Sequence, residues 1–364
     1  MARFLKRYGL LAIATAALIG VISPLLPPVY GQHSPVLAQQ SPASPQASVE
    51  VTAVASVGMT VSDLDEAIAF YEQVLDFETL SVTEVHGREY ELLQGVFGLR
   101  MRVARLQLGA EIIELTEYLT VGGRPIPVDS RSNDLWFQHV AIVVSDMDAA
   151  YQQLRSFDVQ HVSTGPQRLP ETIPAAADIE AFYFQDPDGH NLELIFFPPD
   201  KGAPRWQAPT DALFLGIDHT AIGVSNTEAS LAFYRDLLGL DVAGESENFG
   251  PEQERLNNVF GARLQITGLR AEAGMGVEFL DYRSPATGRP YPAESRPNDL
   301  WHWDITLEVE DAIAAAARLR AVGVPFISSG PVTLPSNDEA ASLGFVRAFL
   351  VRDPDGHALR LIER

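Results

Sequence analysis

Residues 182–194 read Phe-Tyr-Phe-Gln-Asp-Pro-Asp-Gly-His-Asn-Leu-Glu-Leu. An apolar run, Ala181 to Gln185, meets a second, Leu192 to Phe197, across Asp-Pro-Asp-Gly, whose residues favour a tight turn. The arrangement returns at 349–361 as Phe-Leu-Val-Arg-Asp-Pro-Asp-Gly-His-Ala-Leu-Arg-Leu. A second motif also occurs twice, as Ser-Arg-Ser-Asn-Asp-Leu-Trp at 130–136 and Ser-Arg-Pro-Asn-Asp-Leu-Trp at 295–301. The body of the chain is a duplication. Its two copies display which positions have been kept and which have diverged.

A finer period lies inside each copy. Val61-Ser62-Asp63, Val144-Ser145-Asp146, Val224-Ser225-Asn226 and Val309-Glu310-Asp311 each end an apolar, strand-like run. A helical pattern capped by Asp or Asn follows each. In the first, Leu64, Ile68, Tyr71 and Leu75 fall on one face; Leu231, Tyr234 and Leu238 repeat this in the third. Short apolar runs come next: Met101 to Leu108 and Glu111 to Glu117 in the first unit, Leu264 to Ile266 and Val277 to Tyr282 in the third, and Val346 to Val351 and Leu359 to Ile362 in the fourth. The chain thus reads as an α+β protein of four βαβββ modules in tandem. A helix covers one face of each small sheet, and the other face must be buried or line a cavity, which pairing of two units would form.

Composition bounds the function. With 46% hydrophobic residues the 364-residue chain is globular, and its net charge of −22 argues against nucleic acid or an anionic membrane surface as partner. It has no cysteine, so any metal must be held by His, Asp or Glu. Arg3, Lys6 and Arg7 precede the apolar stretch Leu10 to Leu26, and Val36-Leu37-Ala38 has the spacing of a cleavage site, with Gly31 as an alternative. We expect a signal peptide over 1–38 and a periplasmic or extracellular protein; the other reading is an uncleaved N-terminal anchor. A flexible linker follows at 39–52, then a domain of two modules at 53–198, a linker at 199–213 and a second two-module domain at 214–364.

The strand His139-Val-Ala-Ile-Val-Val-Ser-Asp146 leading into a helix, the 182–194 segment and their counterparts resemble the vicinal oxygen chelate superfamily, which contains glyoxalase I, bleomycin resistance proteins and extradiol dioxygenases. The resemblance covers residues 53 to 364 and implies two half-open, glyoxalase-like barrels. It says little about which reaction is catalysed.

The resemblance also implies two ligand positions per module, on the first and last strands. The first-strand positions are Ser56, His139, His219 and Asp304; the last-strand positions are Glu114, Glu193, Glu278 and Arg360. Chemistry supports part of this independently. His139 stands in a strand apolar on both faces, and Glu193 in Leu-Glu-Leu-Ile-Phe-Phe; a carboxylate there must be neutralised, paired or metal-bound. Two pairings are open. If the second and third modules share a barrel, His139, Glu193, His219 and Glu278 form one complete set, and the other barrel, with Arg360 repelling a cation, is vestigial. If adjacent modules pair, Glu114, His139 and Glu193 form a three-ligand site. Such ligands suit one divalent Fe, Mn, Ni or Zn ion. His190 and His357 are both kept although the ligand position beside His357 has become Arg360, so Asp-Pro-Asp-Gly-His reads as a structural turn. By the same logic Ser-Arg-x-Asn-Asp-Leu-Trp reads as a connector; Trp301, His302 and Trp303, next to Asp304, either line a cavity or belong to the core.

The expected function is a metal-dependent lyase or isomerase of glyoxalase type on a small oxygenated substrate, with Glu193 or Glu278 as base. An extradiol-type ring-cleaving dioxygenase and a non-catalytic small-ligand binder are the other readings. Four modules let a monomer form both barrels, without excluding a homodimer.

Overall fold

The computed structural model describes residues 48–364; the expected leader and most of the 39–52 linker lie outside the described residues. The first unit runs β1 (Val51–Val61), α1 (Leu64–Leu75), β2 (Glu78–His86), α2 (Arg88–Gln94), β3 (Arg100–Leu108) and β4 (Glu111–Tyr118). The second runs β5 (Gln138–Val144), α3 (Met147–Ser156), β6 (Gln160–His161), β7 (Gln167–Arg168), β8 (Glu180–Gln185) and β9 (Asn191–Phe196). The third comprises β10 (Phe214–Gly223), α4 (Thr227–Tyr234), β11 (Asp241–Phe249), α5 (Pro251–Asn257), β12 (Arg263–Arg270), β13 (Ala273–Gly274) and β14 (Gly276–Ser284). The fourth comprises β15 (Trp303–Val309), α6 (Ala312–Ala321), β16 (Val332–Thr333), α7 (Asp338–Ala341), β17 (Arg347–Arg352) and β18 (Ala358–Glu363). No helix among the described residues is long and apolar enough to cross a membrane.

The helix starts are where the sequence places short polar acceptors. Asp63 accepts from the Asp65 and Glu66 amides, Asp146 from Ala149, Asn226 from Ala229, and Asp311 from Ile313 and Ala314. Each cap satisfies amides that the helix itself leaves free. The short helices α2 and α5 are not anticipated. Each follows a glycine of positive φ, Gly87 or Gly250, and lacks a side-chain cap; two turns are too short to display a helical period.

The strands form two curled sheets of nine. One has the order β16-β17-β18-β15-β1-β4-β3-β2, with β13 beside β1; the other has β11-β12-β14-β10-β5-β9-β8-β6, with β7 beside β8. The first and fourth modules therefore share one sheet, here called the outer-module sheet, and the second and third share the inner-module sheet. Segments 53–198 and 214–364 are the repeats of the sequence, and each gives one module to each sheet. The seams are antiparallel, β1 with β15 and β10 with β5.

The helix-covered faces of both sheets merge in one apolar core, in which Tyr71, Leu154, Tyr234 and Leu319 of the helices meet Val57, Ile142, Ile222 and Ile305 of the strands. The motifs that revealed the duplication tie the two sheets together. Asp186 accepts from the Tyr71 hydroxyl and from His190 Nδ1, His190 Nε2 pairs with the Leu300 carbonyl, and Asp188 accepts from the Ser62 amide. The second copy mirrors this: Asp353 accepts from Tyr234, His357 pairs with the Gly223 carbonyl, and Asp355 accepts from the Ser225 amide. In the connectors, Arg289 makes a bidentate pair with Asp134 and covers Trp136, while Arg124 does the same with Asp299 and Trp301. Planar guanidinium forks suit this arrangement. Trp301, His302 and Trp303 are all buried.

Candidate metal centre

The inner-module seam sets the geometry. Across β10 and β5, His219 faces Ala141 and Ala221 faces His139; across the flanking parallel pairs, Ala141 faces Glu193 and Ala221 faces Glu278. Period-two alternation puts these six side chains on one face of the sheet, the face away from the helices. The two alanines lie between the four polar side chains. Both are fully buried, each in one of the two apolar clusters that flank the seam.

The polar atoms converge. His139, Glu193 and His219 each offer a ligand atom within 4.8 Å of the others. His139 Nε2 lies 3.1 Å from Glu193 Oε2, and His219 Nε2 lies 3.7 Å from the same oxygen and 3.6 Å from Glu278 Oε1. His139 Nε2 is nonetheless out of line for a hydrogen bond. Both ring nitrogens of His139, and Nε2 of His219, are buried without a hydrogen-bond partner among the described residues. Buried imidazole nitrogens left unpaired are costly. Nitrogens and carboxylates aimed at one another without bonding are the donor set of a divalent ion with intermediate softness. The residues fit such an ion. Glu278 stands outside the tight trio, and its side chain is 23% exposed.

His219 carries an orienting shell. Its Nδ1 lies 3.0 Å from Asp218 Oδ2. Asp218 in turn accepts from Arg270 and from the indole of Trp206, which sits on a single helical turn, Pro204–Gln207, of the 199–213 linker. A carboxylate on the far nitrogen fixes the ring's tautomer and leaves Nε2 free toward the centre. Burial opposes protonation of His219, but Glu278, Asp218 and Glu193 outweigh it and raise its pKa to about 9 in the metal-free chain. Burial pushes the Glu278 carboxyl above its ordinary range; His219 opposes and Glu193 reinforces the rise. Burial works against the Asp218 carboxylate, yet His219, Arg270 and Trp206 hold its pKa well below the usual range.

A cavity of about 300 Å³ adjoins the centre, lined by Tyr183, Glu193, His219, Asn248, Gln253, Gly268 and Glu278 among others. The Tyr183 ring lies 4.9 Å from that of His139. Asp218, Arg270, Trp206 and Tyr183 are absent from the residues singled out in the sequence. The Asp218-His219 dipeptide inside an apolar strand is the signal that points to the first of them.

The other candidate positions form a different object. Ser56, Glu114, Asp304 and Arg360 occupy equivalent places on the outer-module sheet. Arg360 Nη2 lies 2.5 Å from Glu114 and 2.9 Å from Asp304, and the Ser56 hydroxyl donates to Glu114. Glu114 is thus on the opposite sheet from His139 and Glu193, so the trio implied by adjacent pairing does not assemble. His190 and His357 lie in the inter-sheet ties described above, away from both groups.

Comparison with known proteins agrees with this architecture. Residues 53–194 and 216–361 both match the family described as the Glyoxalase/Bleomycin resistance protein/Dioxygenase superfamily. A 2-epi-5-epi-valiolone epimerase from Actinomyces sp is 34% identical over 166 residues, spanning 42% of this chain and 82% of that protein. Among solved structures, glyoxalase I from Zea mays superposes with a TM-score of 0.54 at 16% identity, over 86% of this chain and 92% of its own. A point mutant of the same maize enzyme gives 0.57 at 17% identity, over 86% and 93%.

Proposed function

The chain belongs to the glyoxalase/bleomycin resistance protein/dioxygenase superfamily, and on that premise we propose that it is a divalent-metal-dependent isomerase that epimerises a carbon next to the carbonyl of a small oxygenated substrate. One observation carries the reading: His139, Glu193 and His219 converge with their imidazole nitrogens unpaired, while Glu278 stands beside them at the cavity wall. The named epimerase relative supports the reaction type. When bound, the divalent ion supplies Lewis acidity to neighbouring substrate oxygens. His139, His219 and Glu193 hold it, and Asp218 keeps His219 in register.

Glu278 acts as the base. Its carboxylate takes the proton from the carbon α to the carbonyl, and the electron pair of that bond becomes the double bond of an enediolate. Returning a proton to the opposite face inverts the centre. In strand order β14-β10-β5-β9 the two glutamates flank the histidine pair; Glu193 is committed to the ion as a carboxylate, so the returning proton comes from water on the face away from Glu278, and Glu278 releases its own proton to solvent. Neutral-pH proton abstraction needs a carboxylate shielded from bulk water, a condition that the buried seam supports.

The test measures metal content and exchange of the α proton of 2-hydroxycyclohexanone in deuterium oxide. Wild type should bind one equivalent of metal and catalyse exchange. His139→Ala and His219→Ala should each lose both. Glu278→Gln should keep the metal and slow exchange at least about a hundredfold; unchanged exchange in that variant overturns the assignment of the base.

A trio of two histidines and one carboxylate is also the set used by ring-cleaving iron oxygenases, which supports a dioxygenase as the second reading. Oxygen uptake with catechol in the Fe²⁺-loaded protein, absent with Ni²⁺ or Zn²⁺, would favour it. Action outside the cytoplasm is also part of the proposal. It rests on residues 1–38 alone, and a mature protein in the cytoplasm with its N-terminus intact would overturn it.

A further inference from the structure

The cavity has a second polar wall that the proton chemistry does not use. The Ser246 hydroxyl donates to Asn248 Oδ1 at 2.9 Å, Asn248 Nδ2 donates to Gln253 Oε1 at 3.0 Å, and Gln253 Nε2 donates to Asn257 Oδ1. Asn248, Gln253 and Asn257 are each at most 3% exposed. Ser246, Asn248 and Gln253 line the same cavity as Glu193, His219 and Glu278.

The chain of bonds does not satisfy its members. A side-chain amide carries two N–H groups. One is used on Asn248 and one on Gln253, and Asn257 Nδ2 is buried with no hydrogen-bond partner among the described residues. Two spare donors therefore remain on the cavity wall, one on Asn248 and one on Gln253, and Asn257 anchors the far end of the row. A row that served packing alone would close its own bonds, because unmet buried donors are destabilising. Beside the row, Gly244 faces Gly268 across β11 and β12, and Gly268 faces Glu278 across β12 and β14. A Cβ at Gly244 would meet nothing within 4 Å, and one at Gly268 only a carbonyl at 3.9 Å. This is space for a ligand between the wall and the base.

The duplicate supplies the control. On the outer-module sheet the equivalents of Ser246, Asn248, Gln253 and Asn257 are Thr83, Val85, Tyr90 and Gln94, and Val85 and Tyr90 are packed in an apolar cluster. The equivalents of Gly244 and Gly268 are Ser81 and Arg105, which face each other. Among the described residues, the amide row and the hollow occur only on the sheet that carries His139 and His219.

We infer that Ser246, Asn248 and Gln253, held from behind by Asn257, form a hydroxyl-reading wall, and that the substrate is a small carbonyl compound bearing several hydroxyl groups. This rests on the epimerase reading for the carbonyl; the wall supplies the hydroxyls. Spare amide N–H groups donate to substrate hydroxyl oxygens, and the Ser246 oxygen accepts in return. An apolar or singly hydroxylated ketone would leave these donors unmet and so bind more weakly, without being shut out.

The experiment is calorimetric titration of the metal-loaded protein with two ligands of one ring size, a pentahydroxycyclohexanone and 2-hydroxycyclohexanone. Wild type should prefer the first by at least about tenfold, the worth of one or two hydrogen bonds. Asn248→Val, which installs the residue of the other copy, should erase about tenfold of that preference with metal content still stoichiometric. Should that variant fold poorly, Ser246→Ala, at a half-buried hydroxyl, should lower the preference about threefold. Equal affinity of wild type for both ligands, no binding of either, or a preference untouched in both variants overturns the inference. Failure of the epimerase reading looks different: the preference persists while α-proton exchange is absent for both ketones.

Discussion

The open faces of the two sheets have the same strand register and opposite contents. Over the inner seam stand His139, His219, Glu193 and Glu278, with Ala141 and Ala221 beneath; over the outer seam the same positions hold Asp304, Ser56, Arg360 and Glu114, with Thr306 and Gly58 beneath. Each face brings two carboxylates to one buried place. On the outer face a guanidinium attached to the chain neutralises them, helped by Arg105 at 3.7 Å from Glu114. On the inner face no Arg or Lys pairs with Glu193 or Glu278 among the described residues, and two histidines with free nitrogens take its place. The outer face is also filled, by Leu93, Met101, Val103, Phe345 and Leu350 among others, whereas the inner face keeps its cavity. One fold thus meets the same charge problem with an internal cation in one copy and a donor set for an external cation in the other.

The contrast is tested most severely at Arg360. Arg360→Met leaves Glu114 and Asp304 buried without their cation, and we expect a loss of about 3–5 kcal/mol in denaturant unfolding. A loss below about 1 kcal/mol would mean that the pair is bystander packing. The mirror experiment is Gly268→Arg, which gives the inner face the residue that the outer face carries at Arg105. The new side chain should fill the hollow beside Glu278 and cut turnover about a hundredfold by displacing the substrate, with thermal stability unchanged or higher. Kinetics and a melting curve on one preparation check both halves.

Smaller effects follow from titration. His302, beside Asp304, is buried with both ring nitrogens unpartnered, and burial, then Arg352 and Arg360, depress its pKa to about 3. The unfolded chain takes up this proton near pH 6.5, so stability is full above that pH and is lost as pH falls toward 3. At pH 5 the loss is about 2 kcal/mol, and His302→Phe should remove it from the pH profile of unfolding. On the inner face the sign is reversed. His219 keeps its proton to about pH 9 without metal, and the metal must displace that proton. Apparent metal affinity should therefore rise about tenfold per pH unit up to that point. A pH-independent affinity in competition with a chelator would exclude His219 as a ligand.

Much of the fold was legible because period and capping are local. The four first strands, their Asp or Asn caps and the turn at Asp186 to His190 are each specified within a few residues. Helices α2 and α5 were not, being too short for periodicity and uncapped by a side chain. His139, Glu193, His219 and Glu278 stood out as polar groups in apolar strands, and Arg360 as a residue unable to bind a cation. Asp218, Arg270, Trp206 and the amide row were not legible. Their meaning depends on a neighbour from another strand or from the 199–213 linker, and the linker's composition gives no sign that its tryptophan reaches Asp218.

Four modules of one kind, repeated motifs that are scaffold, and copies that differ where charge is buried can all be read along the chain. Local patterning suffices for that, because hydrophobic alternation and caps act over one or two turns of chain. Which modules share a sheet is a tertiary matter. Adjacent pairing would put Glu114 with His139; the observed seams put it with Arg360. That choice is made by long-range strand register and by the ties that Asp186, Asp353, Arg124 and Arg289 make between sheets. The ties join residues more than a hundred positions apart and the inner seam residues 70 or more apart, and no local pattern encodes them.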